Sequence, residues 1–266
     1  RVFYFNFEEE PAMDTFFERN LKPTRILNEL SIYSKAEIHP ETDLVIFDEI
    51  QVSDRALNAL KYFQEEAPTY HIVAAGSLLS AKLSRSGSFP VGKVNFLNLY
   101  PMTFLEFLDA VGFSRYRQLL EDIDHFTPLS EILHKDLIDL LRTYYFIGGM
   151  PEAVSHFSET ENHHDVREIH QKIINAYILD FARQAPASDI PKRMHIWDSI
   201  PKHLAGENNK FKFSTVKSGA RAREYENAMT WLEDAGLIYR VCSVENSRYP
   251  LQYYADRSAF KIYVLD

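Results

Sequence analysis

The sequence predicts an α/β protein: part of a parallel-sheet core, then an α-helical region, then a winged helix. Three observations predict it. Apolar runs of strand length recur through the first hundred residues, with helical spacing between them. After Pro101 the strand signals stop and longer amphipathic patterns replace them. Near the end, helical patterns give way to two short alternating segments around a polar loop. The expected division is 1–102, 103–190 and 191–266.

Residues 2–7 form the first expected strand. Helical apolar spacing then covers 13–33, broken at Lys22-Pro23. Residues 43–48 are a continuous apolar run with an acid at each end, the pattern of a strand buried on both faces of a parallel sheet. Residues 55–64 return to helix, with Ala56, Leu57, Leu60 and Phe63 on one stripe. Residues 71–75 and 94–99 are the next strands. All four strands should lie parallel in one sheet, with Asp48 and Ser77 at the same edge. Helices follow at 103–111, 115–120 and 131–147, the last ending at Gly148-Gly149 before Pro151. Another covers 166–185 and stops before Pro186. In the last third, 192–204, 214–216 and 221–235 read as helices, with Gly236 as the final cap. Strands at 237–244 and 251–255 flank Glu245-Asn246-Ser247-Arg248, and 261–266 reads as a further strand. Three helices and a hairpin are the order of a winged helix.

The composition is ordinary for a globular chain: 45% of the 266 residues are hydrophobic and 25% charged. Disorder and low-complexity scaffolds are excluded. With 29 Lys and Arg against 38 Asp and Glu, the net charge of -9 rules out a uniformly basic coat but leaves room for a local basic face. The single cysteine, Cys242, permits no intrachain disulfide and no cysteine-built zinc site, which fits a cytoplasmic setting. No run approaches the roughly 18 apolar residues of a membrane helix, so no membrane partner is expected. The chain begins and ends within strand patterns and has no initiator Met, so it reads as a piece of a longer protein.

The sharpest motif is Leu44-Val45-Ile46-Phe47-Asp48-Glu49. Four apolar residues followed by paired acids make a Walker B pattern, which fixes carboxylates at the sheet edge where α/β ligands bind. Asp48 is the candidate Mg²⁺ ligand. Glu49 is the candidate base for the water that attacks a γ-phosphate. A buried strand that happens to end in two acids is the plain alternative. Residues 87–93 match the spacing G-x-x-x-x-G-K of a phosphate loop but read as a decoy. Val94 stands where a Ser or Thr should ligate the metal, a strand rather than a helix is expected next, and the match falls after the Walker B strand. His156, His163, His164 and His170 show no tight ligand spacing, and their acidic neighbours indicate a solvated loop and helix start.

The pattern resembles a bacterial and archaeal family of AAA-type ATPases. The matching pieces run from Leu44 to Gln51 and through Gly76-Ser77-Leu78-Leu79 to Leu99-Tyr100-Pro101-Met102-Thr103-Phe104-Leu105-Glu106-Phe107. They continue with Tyr145-Phe146-Ile147-Gly148-Gly149-Met150-Pro151-Glu152 and the closing residues 260–266. They cover almost the whole chain in the family's order. The resemblance implies ATP and Mg²⁺ as ligands and Ser77 as the polar sensor after Walker B, although Ser77 also suits an N-cap. It implies a lid near the nucleotide at Gly148, Gly149 and Pro151; a helix C-cap with Pro as stop accounts for these equally well. It also implies a P-loop before Arg1 and a nuclease-like domain after Asp266. Residues 1–266 by themselves are then expected neither to bind ATP tightly nor to hydrolyse it. One departure stands out: the family has Gly-Arg before the strand at Val94, and this chain has Gly92-Lys93. An ammonium cannot grip phosphate bidentately, so an arginine-finger role does not carry over.

Lys210, Lys212, Lys217, Arg221 and Arg223 cluster around the turn before the last long helix, where a winged helix meets duplex DNA. Glu224, Glu226, Glu233 and Asp234 on the same helix support a protein-contacting spacer instead. Three functions therefore stand open: an ATPase, a nucleotide-dependent switch with little turnover, and a DNA-binding module with a structural ATPase-like core.

Overall fold

The computed structural model describes residues 1–76, 92–124, 127–183, 189–206 and 208–266. The chain divides into two units, Arg1–Asn98 with Trp231–Gly236, and Leu99–Thr230 with Leu237–Asp266.

The first unit is built on three parallel strands in the order β1 (Val2–Asn6), β2 (Leu44–Asp48) and β3 (His71–Ala74). The registers pair Phe5 with Phe47, Asn6 with Asp48, and Phe47 with Ala74. Helices α1 (Pro23–Tyr33) and α2 (Asp54–Glu66) supply the crossovers. Pro23 starts α1, where its missing N–H costs nothing. Ser53 caps α2 by accepting the Ala56 amide at 3.0 Å, and its own hydroxyl donates to Asp14. The period of two turns Phe3, Phe5, Val45 and Phe47 into a core with Phe17, Ile26, Leu30, Leu57 and Phe63. Aromatic rings fill it: Phe47 lies within 6.2 Å of Phe5, Phe7, Phe17 and Phe63, measured between centroids.

Two expectations change here. Among the described residues the sheet is covered on one face, not both: Val2, Tyr4 and Val73 are 64%, 54% and 46% exposed. The apolar run of β2 fills a buried row and a half-buried row, a distinction that hydrophobicity alone does not make. Residues 94–99 are no strand, and Leu97 and Leu99 are 94% and 95% exposed. An apolar run becomes a strand only when a neighbouring strand takes up its N–H and C=O groups, and no described strand does so here.

The second unit begins with α3 (Phe104–Ala110), α4 (Ser114–Asp122), α5 (Glu131–Ile147), α6 (Pro151–Thr160) and α7 (His163–Arg183). Thr103 and Glu106 form a capping box on α3; the Thr103 amide, donating at 2.7 Å, is the main cause of the lowered Glu106 pKa. Phe107, Ile147, Ala153, Val154 and Val166 form the local core. Helices α8 (Ile190–Leu204), α9 (Phe213–Val216) and α10 (Ala222–Asp234) come next, then an antiparallel pair β4 (Ile238–Val244) and β5 (Ala255–Val264). The hairpin differs from expectation. Leu251–Tyr254 is a 3-10 turn, and a single strand runs from Ala255 to Val264, absorbing most of the separate strand expected at 261–266.

Candidate functional site

Asp48 ends β2 at the carboxyl edge of the sheet. Its main-chain carbonyl accepts the Phe7 amide at 3.0 Å. The Ala75 amide donates to the Phe47 carbonyl at 2.8 Å, and the Ile50 amide returns to the Ala75 carbonyl at 3.1 Å. Ala75-Gly76 therefore leaves β3 beside Asp48 and Glu49. Ser77 lies outside the described residues, and so do residues 87–91 of the rejected loop. Lys93, the lysine of that loop, pairs with Glu65 at 3.2 Å, and no helix follows it before Phe104.

The Asp48 carboxylate is already oriented. Oδ1 accepts the Glu49 amide at 3.0 Å. Oδ2 accepts the Tyr4 hydroxyl and faces Asn6 Nδ2 at 3.4 Å. Asn6 is pinned in turn, since its Oδ1 accepts the Glu8 and Glu9 amides at 2.9 and 3.0 Å. Tyr4, Asn6 and Asp48 share the open face of the sheet because 4 and 6 alternate against Phe3, Phe5 and Phe7. The hydrogen bond to Asp48 raises the Tyr4 pKa above its ordinary value. Sequence reasoning passed over Tyr4 and Asn6; two polar side chains in a strand of alternating phenylalanines were the available signal.

Glu49 adopts the left-handed conformation at φ 52°, ψ 34°. That costs a non-glycine residue roughly 1–2 kcal/mol, and Glu49 shares it with Lys35, Glu41, Glu161 and Asn209. Its Oε2 accepts Gln51 Nε2. A Cβ on Gly76 would overlap the Gln51 side chain, so Gly76 is what lets Gln51 reach this place.

Gly148 and Gly149 occupy a different node. Gly148 sits at φ 75°, ψ -170°, a region open essentially to glycine alone. The Gly149 carbonyl accepts the Met102 amide at 2.7 Å, and the Tyr144 hydroxyl donates to the Met102 carbonyl at 2.8 Å. A Cβ on Gly149 would overlap the Met102 main chain. The Gly149 amide donates to Asp266 Oδ1 at 2.8 Å, so it is not free for a phosphate. Pro151 opens α6. Desolvation first, then the charge of Asp266, raises the Tyr144 pKa. Met102, Gly148-Gly149 and Asp266 come from three of the sequence blocks singled out above, and they meet here.

Of the five basic residues, Lys210 and Lys212 flank buried Phe211 in the segment before α9, Lys217 follows α9 as its C-cap, and Arg221 and Arg223 stand at the start of α10. Arg248 follows β4, beyond its last residue Val244. His156 approaches Asp165 at 3.2 Å, yet no described group of three His, Cys, Asp or Glu could hold a metal ion. No described helix is long and apolar enough to cross a membrane.

Residues 1–108 match the family model of an AAA domain, and residues 138–266 match that of a domain of unknown function (DUF8612). No curated protein matches the chain. Among solved structures it is similar to the Walker-type ATPase PABY2304 of Pyrococcus abyssi, with 15% identity and a TM-score of 0.48, over 91% of this chain and 65% of that one. It is also similar to the Aeropyrum pernix ORC1 protein in complex with DNA, with 11% identity and a TM-score of 0.35, over 99% of this chain and 74% of that one. Likeness at these scores carries no conclusion about chemistry. The chain spans 65% of the length of the Pyrococcus ATPase.

Proposed function

We propose, from the premise that residues 1–108 belong to the AAA-domain family, that the complete protein hydrolyses ATP with Asp48 and Glu49 as its working acids. The observation that supports this most is the pair itself: adjacent carboxylates at the carboxyl edge of a parallel sheet, one oriented by three donors and the other in left-handed backbone. The carboxylate oxygens fit a hard cation. Mg²⁺ takes one or two carboxylates and keeps several waters, so Asp48 with the Tyr4 hydroxyl beside it suits a cation carried mainly by substrate phosphates.

When bound, Mg²⁺ supplies charge neutralisation at the β- and γ-phosphates. Asp48 holds its side of the site, and Tyr4 and Asn6 keep its carboxylate from rotating away. Glu49 presents Oε1 to the attacking water and takes its proton, while Gln51 steadies Oε2. The amides and lysine that grip the phosphates belong outside 87–93 in this proposal, since Lys93 is paired with Glu65. Ser77 is the proposed sensor. Gly148, Gly149 and Pro151 shape the lid instead of touching phosphate. Asp48→Asn in the complete protein is expected to raise the Mg²⁺ concentration for half-maximal ATP turnover by about tenfold or more. Unchanged Mg²⁺ dependence would remove Asp48 from the site.

A second reading concerns α8 to β5 as a winged helix that contacts duplex DNA. It is favoured by Arg221 and Arg223 at the start of α10, with Lys217 just before them. Cations at a helix N-terminus oppose the helix dipole, so they do not serve the helix itself. Reversing the charge of all three should weaken duplex binding and flatten its salt dependence. Unchanged affinity would leave a protein-contacting role for this part of the chain.

A further inference from the structure

A polar pocket of about 320 Å³ lies between the end of α8 and the segment leading into α9. Lys202, Lys210 and Lys212 line it together with Asn208, Asn209 and Thr215. All six side chains carry hydrogen-bond donors, and no carboxylate is among the described lining residues; Glu207, between Gly206 and Asn208, lies outside the described residues.

The lysines stand on an ordered frame. Phe211, between Lys210 and Lys212, is buried, and its ring stacks on His203 at 4.3 Å and on Phe260 at 5.2 Å. Neighbours in an extended segment point to the side opposite the residue between them, so burying Phe211 turns both lysines outward together. The Phe211 amide donates to the Phe260 carbonyl at 2.9 Å, and Lys210 bridges Lys261. His203 fixes the segment from the helix side. Its Nδ1 donates to the Ser199 carbonyl at 2.8 Å, which leaves Nε2 to accept the Lys212 amide at 3.1 Å.

Three ammonium groups around one space repel one another unless an anion lies between them. None of the three forms an ion pair among the described residues. Asp256 acts on Lys210 only at longer range, and its carboxyl is held by the Ser258 amide and hydroxyl at 2.8 and 2.7 Å. The negative end of α8 accounts for Lys202, which lies in its last turn, but not for Lys210 and Lys212.

We infer that this pocket binds a phosphoryl anion. Ammonium, amide and hydroxyl donors converging on one space match the acceptor oxygens of a tetrahedral phosphate. The volume is at the small end for ligand sites, which suits a phosphate with a modest substituent. A free phosphorylated small molecule and a nucleic-acid backbone both offer this group. The inference depends neither on ATP hydrolysis nor on the contacts of Lys217, Arg221 and Arg223.

Residues 1–266 are titrated with inorganic phosphate at constant ionic strength, following the amide resonances of Lys212, Asn208 and Thr215. Saturable shifts are expected, with affinity about tenfold weaker in Lys202→Gln and lost in a variant with all three lysines changed to Gln. Thermal melts confirm that the variants fold. A mononucleotide and a short oligonucleotide then identify the source. An oligonucleotide that moves the same amides at concentrations about a hundredfold below phosphate supports a backbone phosphate. Equal concentrations for phosphate and mononucleotide support a free ligand. Phosphate shifts that are absent, never saturate, or persist in the triple variant overturn the inference.

Discussion

Tyr4 shows how a single hydroxyl sets the presentation of the acid at the sheet edge. It donates to Asp48, and that bond, with a smaller desolvation effect, raises its pKa above that of an ordinary tyrosine. A group whose folded pKa is raised contributes in full below its unfolded pKa and loses the contribution as pH climbs through the folded one. The bond should therefore persist at neutral pH and disappear only above about pH 10. Ultraviolet titration of the chain against Tyr4→Phe is expected to reveal one tyrosine ionising late; a Tyr4 midpoint at or below 10.0 would contradict the bond. Asp48 and Glu49 were legible in the sequence because an apolar run ending in two acids is a local pattern. Tyr4 and Asn6 were not, since their meaning depends on the register that pairs Asn6 with Asp48 across a gap of 42 residues. Periodicity tells which face a side chain takes, not what stands opposite it.

At the scale of elements, the Gly-Gly turn between α5 and α6 makes the clearest case. Gly149 has no room for a side chain against the Met102 main chain, and a main chain cannot step aside as a flexible side chain can. Gly149→Ala is expected to destabilise the second unit by about 3 kcal/mol, read as a lowered urea midpoint. An unchanged midpoint would mean that the Met102 contact does not constrain the turn. The sequence showed both a lid motif and a helix end here, and the structure supplies the helix end and a reason for both glycines. Most helices were legible nearly to their bounds, the pattern at 192–204 becoming Ile190–Leu204, for instance, but α6 was not anticipated and the stretch from 13 opens as a 3-10 helix at Pro11–Phe17. Strands were less so. Residues 44–48 and 94–99 carry similar apolar density, yet only the first has neighbours on both sides. Pairing is non-local, so the same pattern gives a strand in one place and an exposed segment in the other.

For the whole molecule, the net charge of -9 hides the separation of its parts. The acids of the proposed site sit at one sheet edge in the first unit, and Lys202, Lys210 and Lys212 gather in the second. A sum over the sequence could exclude a uniformly basic surface but could not locate either. Nor could it bring Met102, Gly149 and Asp266 together, which needs the fold. In the proposed reaction Glu49 takes a proton from the water attacking ATP. The most direct test is the complete protein with Glu49→Gln, which keeps the shape of the side chain and removes its basicity. Nucleotide affinity is expected to stay within about threefold of the parent while turnover falls by roughly 10²–10⁴. Turnover at the parent rate, with affinity unchanged, would show that Glu49 is not the base and that the acids at the end of β2 serve some other end.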